Sequence, residues 1–111
     1  TVTEVQTCAL PISEADLIVE GEFRTPTTHQ GYIEPHACVA RCNEDGQVVV
    51  WTTTQGPFVV RDACAAIVGL DAAKVKVVPS EIGGGFGGKI TVYPEPLAIA
   101  LSRKAGRPGA T

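Results

Sequence analysis

The chain has no apolar run near the roughly 20 residues of a membrane-spanning helix, no cluster of basic residues and no C-x-x-C pair. The first absence excludes a helical span within these residues. The second, with a net charge of −3, leaves no electrostatic case for nucleic acid or an anionic membrane surface. The third removes the ligand spacing of a zinc or iron–sulfur site. Cys8, Cys38, Cys42 and Cys64 read instead as reduced thiols in or near a cytosolic core. Cys38 and Cys42, four apart in a strand-like segment, point to one face but some way apart. No signal peptide is evident, and a cytoplasmic setting is expected.

The 111 residues bound one domain at most, and 44% apolar with 19% charged residues places them in the globular class. Residues 1–13 resemble the translation of a common DNA sequencing adapter, so the fold is expected to occupy residues 14–111. Leu17 to Phe23 reads as a strand. Ala37 to Cys42 and Gln47 to Thr54 read as two more around the turn Asn43-Glu44-Asp45-Gly46. In the last of these, Val48, Val50 and Thr52 face one side and Val49, Trp51 and Thr53 the other, which implies a strand covered on both faces. Pro57 to Val68 reads as a helix stopped by Gly69, Val75 to Val78 as a strand, and Leu97 to Ala105 as a helix closed by Gly106. The order β-β-β-α-β-loop-α predicts an α+β piece, a mixed sheet with two helices.

Between the last strand and the last helix lies Glu81-Ile82-Gly83-Gly84-Gly85-Phe86-Gly87-Gly88-Lys89, five glycines in nine residues. Glycine lets backbone approach a ligand closely, and successive exposed amides make a concavity for anionic or oxo groups. A cofactor is expected against this loop. Two phosphate-loop patterns match by letter and give an alternative reading, a small nucleotide-binding module built on Gly83–Lys89. The nucleotide P-loop needs Ser or Thr directly after the lysine and a helix starting there. Position 90 is Ile, and Thr91-Val92-Tyr93-Pro94-Glu95-Pro96 is a poor helix start. The dinucleotide loop needs an acid about twenty positions on, where the chain reads Ser102-Arg103-Lys104-Ala105-Gly106-Arg107-Pro108.

Four motifs come in a fixed order: Gly31-Tyr32-Ile33-Glu34-Pro35-His36, then Thr53-Thr54-Gln55-Gly56-Pro57-Phe58, then the glycine loop, then Gly106-Arg107-Pro108. From about Asp16 to Pro108 the chain resembles the molybdenum-binding catalytic subunit of the xanthine dehydrogenase and aldehyde oxidase (molybdenum hydroxylase) family, of which it would be a fragment. The resemblance implies a molybdenum–molybdopterin cofactor in its dinucleotide form. It implies hydroxylation of an aldehyde or a heterocyclic or aromatic carbon, with water as the oxygen source. Iron–sulfur clusters and FAD on other domains or subunits would carry the electrons away. The family's catalytic base lies outside these residues, so none of them is expected to be catalytic or a metal ligand, and the piece alone is expected to be inactive.

Carried over residue by residue, the resemblance puts Gln55 beside an oxo group of the metal and Gly85-Phe86-Gly87 against the cofactor. On its own chemistry, Gln55 is either a donor to such a ligand or a solvated loop amide. Phe86, flanked by glycines, packs against either core or ligand. Lys89 either meets a cofactor phosphate or ends the loop in solvent, and Glu34 either pins loop backbone or faces the site. His29 and His36 read as packing or hydrogen-bonding residues. Purine-oxidising relatives often carry a glutamate where this chain has Ile90, which argues against a purine substrate.

Overall fold

The computed structural model describes residues 14–111; the reading of residues 1–13, and Cys8 with it, lies outside the described residues. Strand β1 (Cys38–Cys42) and strand β2 (Val48–Thr52) pair antiparallel, Cys38 opposite Thr52 and Cys42 opposite Val48. Gly46 takes the left-handed φ of +81° that the tight turn between them requires. Helix α1 (Pro57–Val68) opens on a proline, whose missing N–H would have had no partner there, and stops at Gly69. After a single 3₁₀ turn (Ala72–Lys74), strand β3 (Val75–Pro79) runs parallel to β2. Helix α2 (Glu95–Ala105) follows the glycine loop, and the short strand β4 (Gly109–Ala110) pairs with β1. The sheet order is β3-β2-β1-β4. It is the mixed α+β sheet with two helices that the sequence predicts.

Alternation along the strands decides where the core lies. Cys38 and Ala40 of β1, Val48 and Val50 of β2 and Val75 of β3 meet Val60, Cys64 and Ala65 of α1 and Ala98 and Ile99 of α2. Each of these is buried, and each fully buried aliphatic side chain contributes on the order of 1.5–3 kcal/mol relative to exposure. Cys42 shares the face of Cys38, its thiol within 3.5 Å of the Ile99 carbonyl. On the opposite face Val39 and Trp51 each remain 39% exposed. The two-sided pattern of β2 therefore meets a covering layer on only one side among the described residues.

Two local expectations change. Leu17 to Phe23 forms no strand: it pairs with nothing among the described residues, and Leu17, Val19 and Phe23 are exposed. A β pattern needs a neighbour to satisfy its amides, and none of the described strands lies beside it. Helix α2 begins at Glu95, ahead of the expected Leu97, because Pro96 falls in the first turn, where its absent N–H costs nothing. Strand β4 went unpredicted, since two residues after a proline carry no readable period.

Candidate functional site

Parallel strands β2 and β3 end side by side, Thr52 opposite Pro79, and the chain leaves both at the same end of the sheet. Carboxyl ends of parallel strands are where open α/β sheets hold ligands. Ser80 ties the two exits together, its N–H donating to the Thr52 carbonyl at 3.0 Å and its hydroxyl to the same oxygen at 3.2 Å. Thr53-Thr54-Gln55 continues from β2, and the glycine loop from β3.

The two segments interlock through Gln55. Its backbone N–H donates to the Lys89 carbonyl at 2.8 Å, and the Thr54 hydroxyl donates to that carbonyl at 3.0 Å. Its side-chain carbonyl, Oε1, accepts the N–H of Gly87 at 3.0 Å and of Lys89 at 3.4 Å. Two donors on Oε1 settle which end of the amide faces the loop, so the Nε2 group points away with no acceptor among the described residues. The close approach is possible only because residue 85 is glycine: a Cβ there would fall inside 3.0 Å of Oε1. A Cβ on Gly88 would lie 2.6 Å from Tyr32 Cε1 for the same reason.

Phe86 is the one non-glycine with a positive φ among the described residues, at +48°. Such a conformation costs an L-residue about 1–2 kcal/mol. Its ring is 73% exposed. Of the two places open to it, the core is therefore not the one it takes. Gln55 is exposed as well, and its Oε1 bonds the N–H of Gly87, the residue next to Phe86 in the loop. The amides of Gly84, Gly85 and Phe86 have no acceptor among the described residues either. A row of unengaged N–H donors beside a primary amide fits an oxo or phosphate-bearing group, which is the chemistry a molybdopterin would bring.

Lys89 takes neither of the places the sequence left open. It is 1% exposed, and its ammonium donates to the Glu34 carboxylate and sits 5.1 Å from the centre of the Tyr32 ring. Glu34 resolves the other way, onto loop backbone: its Oε2 also accepts the Gly83 N–H at 2.6 Å. The Lys89 hydrogen bond, and after it the Gly83 N–H, hold the Glu34 carboxyl below its ordinary pKa against a smaller opposing effect of desolvation. The helix after the loop begins at Glu95 and not at Lys89, unlike a nucleotide P-loop.

Around this clamp, Tyr32 OH shares a hydrogen bond of 2.7 Å with His36 Nε2, and the His36 ring lies 4.1 Å from that of Tyr93. His29 Nδ1 accepts the Gly31 N–H at 3.1 Å. Among the described residues no three of His, Cys, Asp or Glu gather to hold a metal. Sequence reasoning missed Glu95, a buried carboxylate that accepts from Thr52 Oγ1 at 2.6 Å and from Tyr93 N–H at 2.8 Å. A lone acid between two prolines at a helix start was its only signal. The hydroxyl of Thr53 is buried without a partner among the described residues.

The family model of the molybdopterin cofactor-binding domain matches residues 5–109. The xanthine dehydrogenase molybdenum-binding subunit of Escherichia coli O157:H7 is 32% identical over 95 residues, 86% of this chain and 13% of that protein. The carbon monoxide dehydrogenase large chain of Hydrogenophaga pseudoflava is 35% identical over 98 residues, 86% of this chain and 12% of that one. The crystal structure of quinoline 2-oxidoreductase from Pseudomonas putida 86 superposes with a TM-score of 0.71 at 32% identity, over 90% of this chain and 13% of that chain. The chain thus spans about an eighth of the length of these relatives. With fold, motif order and sequence in agreement, the chain belongs to the molybdopterin cofactor-binding domains of the xanthine dehydrogenase and aldehyde oxidase family.

Proposed function

We propose that residues 14–111 form one wall of a molybdopterin site within a longer catalytic subunit, an oxidoreductase that hydroxylates an aldehyde or a heterocyclic or aromatic carbon with oxygen from water. The observation that carries this reading is the Gln55 amide, oriented by two loop N–H groups on Oε1 so that Nε2 faces outward. Nε2 would donate to an oxo group of the cofactor, and the amides of Gly84, Gly85 and Phe86 would line its approach. The Phe86 ring, exposed on this chain, would shield the site from water and bound the space left for substrate. Gly85 lets the loop lie close to Gln55, and Gly87, whose φ is +87°, would leave the loop open to the cofactor. The bound cofactor supplies the redox chemistry; these residues supply binding, orientation and electrostatics.

Ile90, an apolar residue 45% exposed directly after Lys89, would present no hydrogen-bonding group to a purine. That supports an aldehyde or another heterocycle as substrate. Electrons would leave through iron–sulfur clusters to FAD on partner domains, in the cytoplasm, with the pterin in its dinucleotide form. The test is molybdenum and pterin content of the purified holoenzyme. Gln55→Ala should lower retained cofactor or turnover about 10- to 100-fold with the melting temperature held, and unchanged values for both would refute the reading.

A further inference from the structure

The glycine loop cannot hold its own shape. Between Gly83 and Lys89 the five residues include four glycines, and a single internal backbone bond crosses them, Gly88 N–H to the Gly85 carbonyl at 2.7 Å. What fixes the loop comes from elsewhere. On one side stands Gln55. On the other stands Glu34, from a segment nearly fifty residues earlier, whose one carboxylate takes the N–H of Gly83 at the loop's start and the ammonium of Lys89 at its end. The Tyr32 ring fills the space a side chain at position 88 would need and lies beneath the ammonium.

The ammonium has no route to a ligand. Lys89 is 1% exposed, and its charge is already met by Glu34 and the face of Tyr32. Its backbone, in contrast, is engaged at both polar atoms: the carbonyl accepts from Gln55 N–H and Thr54 Oγ1, and the N–H donates to Gln55 Oε1. Moving Lys89 therefore moves the amide whose outer face the proposed cofactor site uses. We propose that Lys89 is a positioning residue that acts only through Glu34: the ion pair between the buried ammonium and the half-buried carboxylate closes the loop into a ring and sets the direction of the Gln55 amide. This inference rests on the cofactor reading given above and assigns the loop's lysine to geometry within it rather than to a phosphate.

The two roles separate in a double-mutant cycle on the holoenzyme. Lys89→Met keeps the unbranched stem without the charge, and Glu34→Gln keeps the shape of the carboxylate without its charge. With positioning through the pair, each single variant retains about tenfold less molybdenum and pterin, and the double variant loses no more than either. Hydrogen exchange of the amides from 83 to 89 should quicken alike in both singles, a readout that needs neither turnover nor cofactor. In the fraction still loaded, the Mo(V) electron paramagnetic resonance spectrum should shift in the same way in both.

A lysine that met a cofactor phosphate directly would give losses that multiply, or a loss on Lys89→Met with none on Glu34→Gln; either overturns the proposal. A lowered melting temperature with an unchanged spectrum and unchanged exchange at 83–89 also overturns it, since the pair would then serve only general stability. Should the wild-type holoenzyme hold no molybdenum or pterin, the cofactor reading itself fails. Normal wild-type content with a multiplicative cycle fails the inference alone.

Discussion

Gln55 and Gly85 share one volume: the side-chain carbonyl of the first occupies the space that a Cβ on the second would need. Gly85→Ala must therefore push Gln55 off its two loop N–H donors or tear the loop away from β2. Overpacking of this kind typically costs about 1–3 kcal/mol. Gly87→Ala is the matched control: its Cβ would meet nothing, and only its φ of +87° opposes the substitution. The strain there is about 1–2 kcal/mol. Cofactor retention should fall further for Gly85→Ala than for Gly87→Ala at equal melting temperature. Equal retention would show that Gln55 and the loop are not coupled.

The Glu34 carboxyl gives a pH signature with a defined sign. Its folded pKa lies below the ordinary value, with Lys89 as the largest cause, so the folded state holds fewer protons than the unfolded state in that range. The stability it contributes is present above about pH 4.3 and is lost as pH falls through the depressed folded value. Thermal unfolding from pH 7 down to pH 3 should show a steeper fall for wild type than for Glu34→Gln. Parallel curves would mean that the carboxylate is as well solvated as in the unfolded chain.

The buried thiols predict the opposite limb. Burial pushes the Cys64 thiol up to about 12, and it raises Cys38 as well. Both should resist alkylation at neutral pH, whereas the half-buried Cys42 should label first of the three described thiols; site-resolved mass spectrometry reads the order. A folded pKa above the unfolded one means that the folded state keeps its proton while the unfolded state gives it up. Stability should decline from about pH 8.5 toward pH 12, and Cys64→Ala should flatten that decline.

Ile99 of α2 is fully buried against the sheet, where it meets residues from β1 and β2. Ile99→Ala should destabilise by about 2–5 kcal/mol in chemical denaturation. Leu101, 43% exposed on the same helix, should tolerate alanine within about 0.5 kcal/mol. A small effect at Ile99 would place the core elsewhere.

How much of this was legible in the sequence follows from the range of each signal. Strands β1 to β3 and helix α1 carry their own period and stop residues within a dozen positions, and each forms where the pattern points. Leu17 to Phe23 carries an equally good strand pattern, but a strand is completed by a neighbour, and pattern alone does not supply one. The glycine loop stood out because runs of glycine beside a strand end are unusual locally, and Gln55 because it closes a strand just before a helix; the fold joins the two by hydrogen bonds. The Glu34–Lys89 pair was not found, because a contact between residues so far apart leaves no mark on spacing. Lys89 shows the difference in one residue. By letter it completes a P-loop pattern; in the fold it is a buried cation over the face of a tyrosine.

The central claim is that the outward face of the Gln55 amide meets the cofactor, and an experimental structure of the holoenzyme at high resolution measures it directly. The account predicts density for a molybdopterin with an oxygen ligand at hydrogen-bonding distance, about 2.7–3.2 Å, from Gln55 Nε2, and with the Phe86 ring beside it. Density for the cofactor on another surface, with Nε2 bonded to protein or open to bulk water, would contradict it.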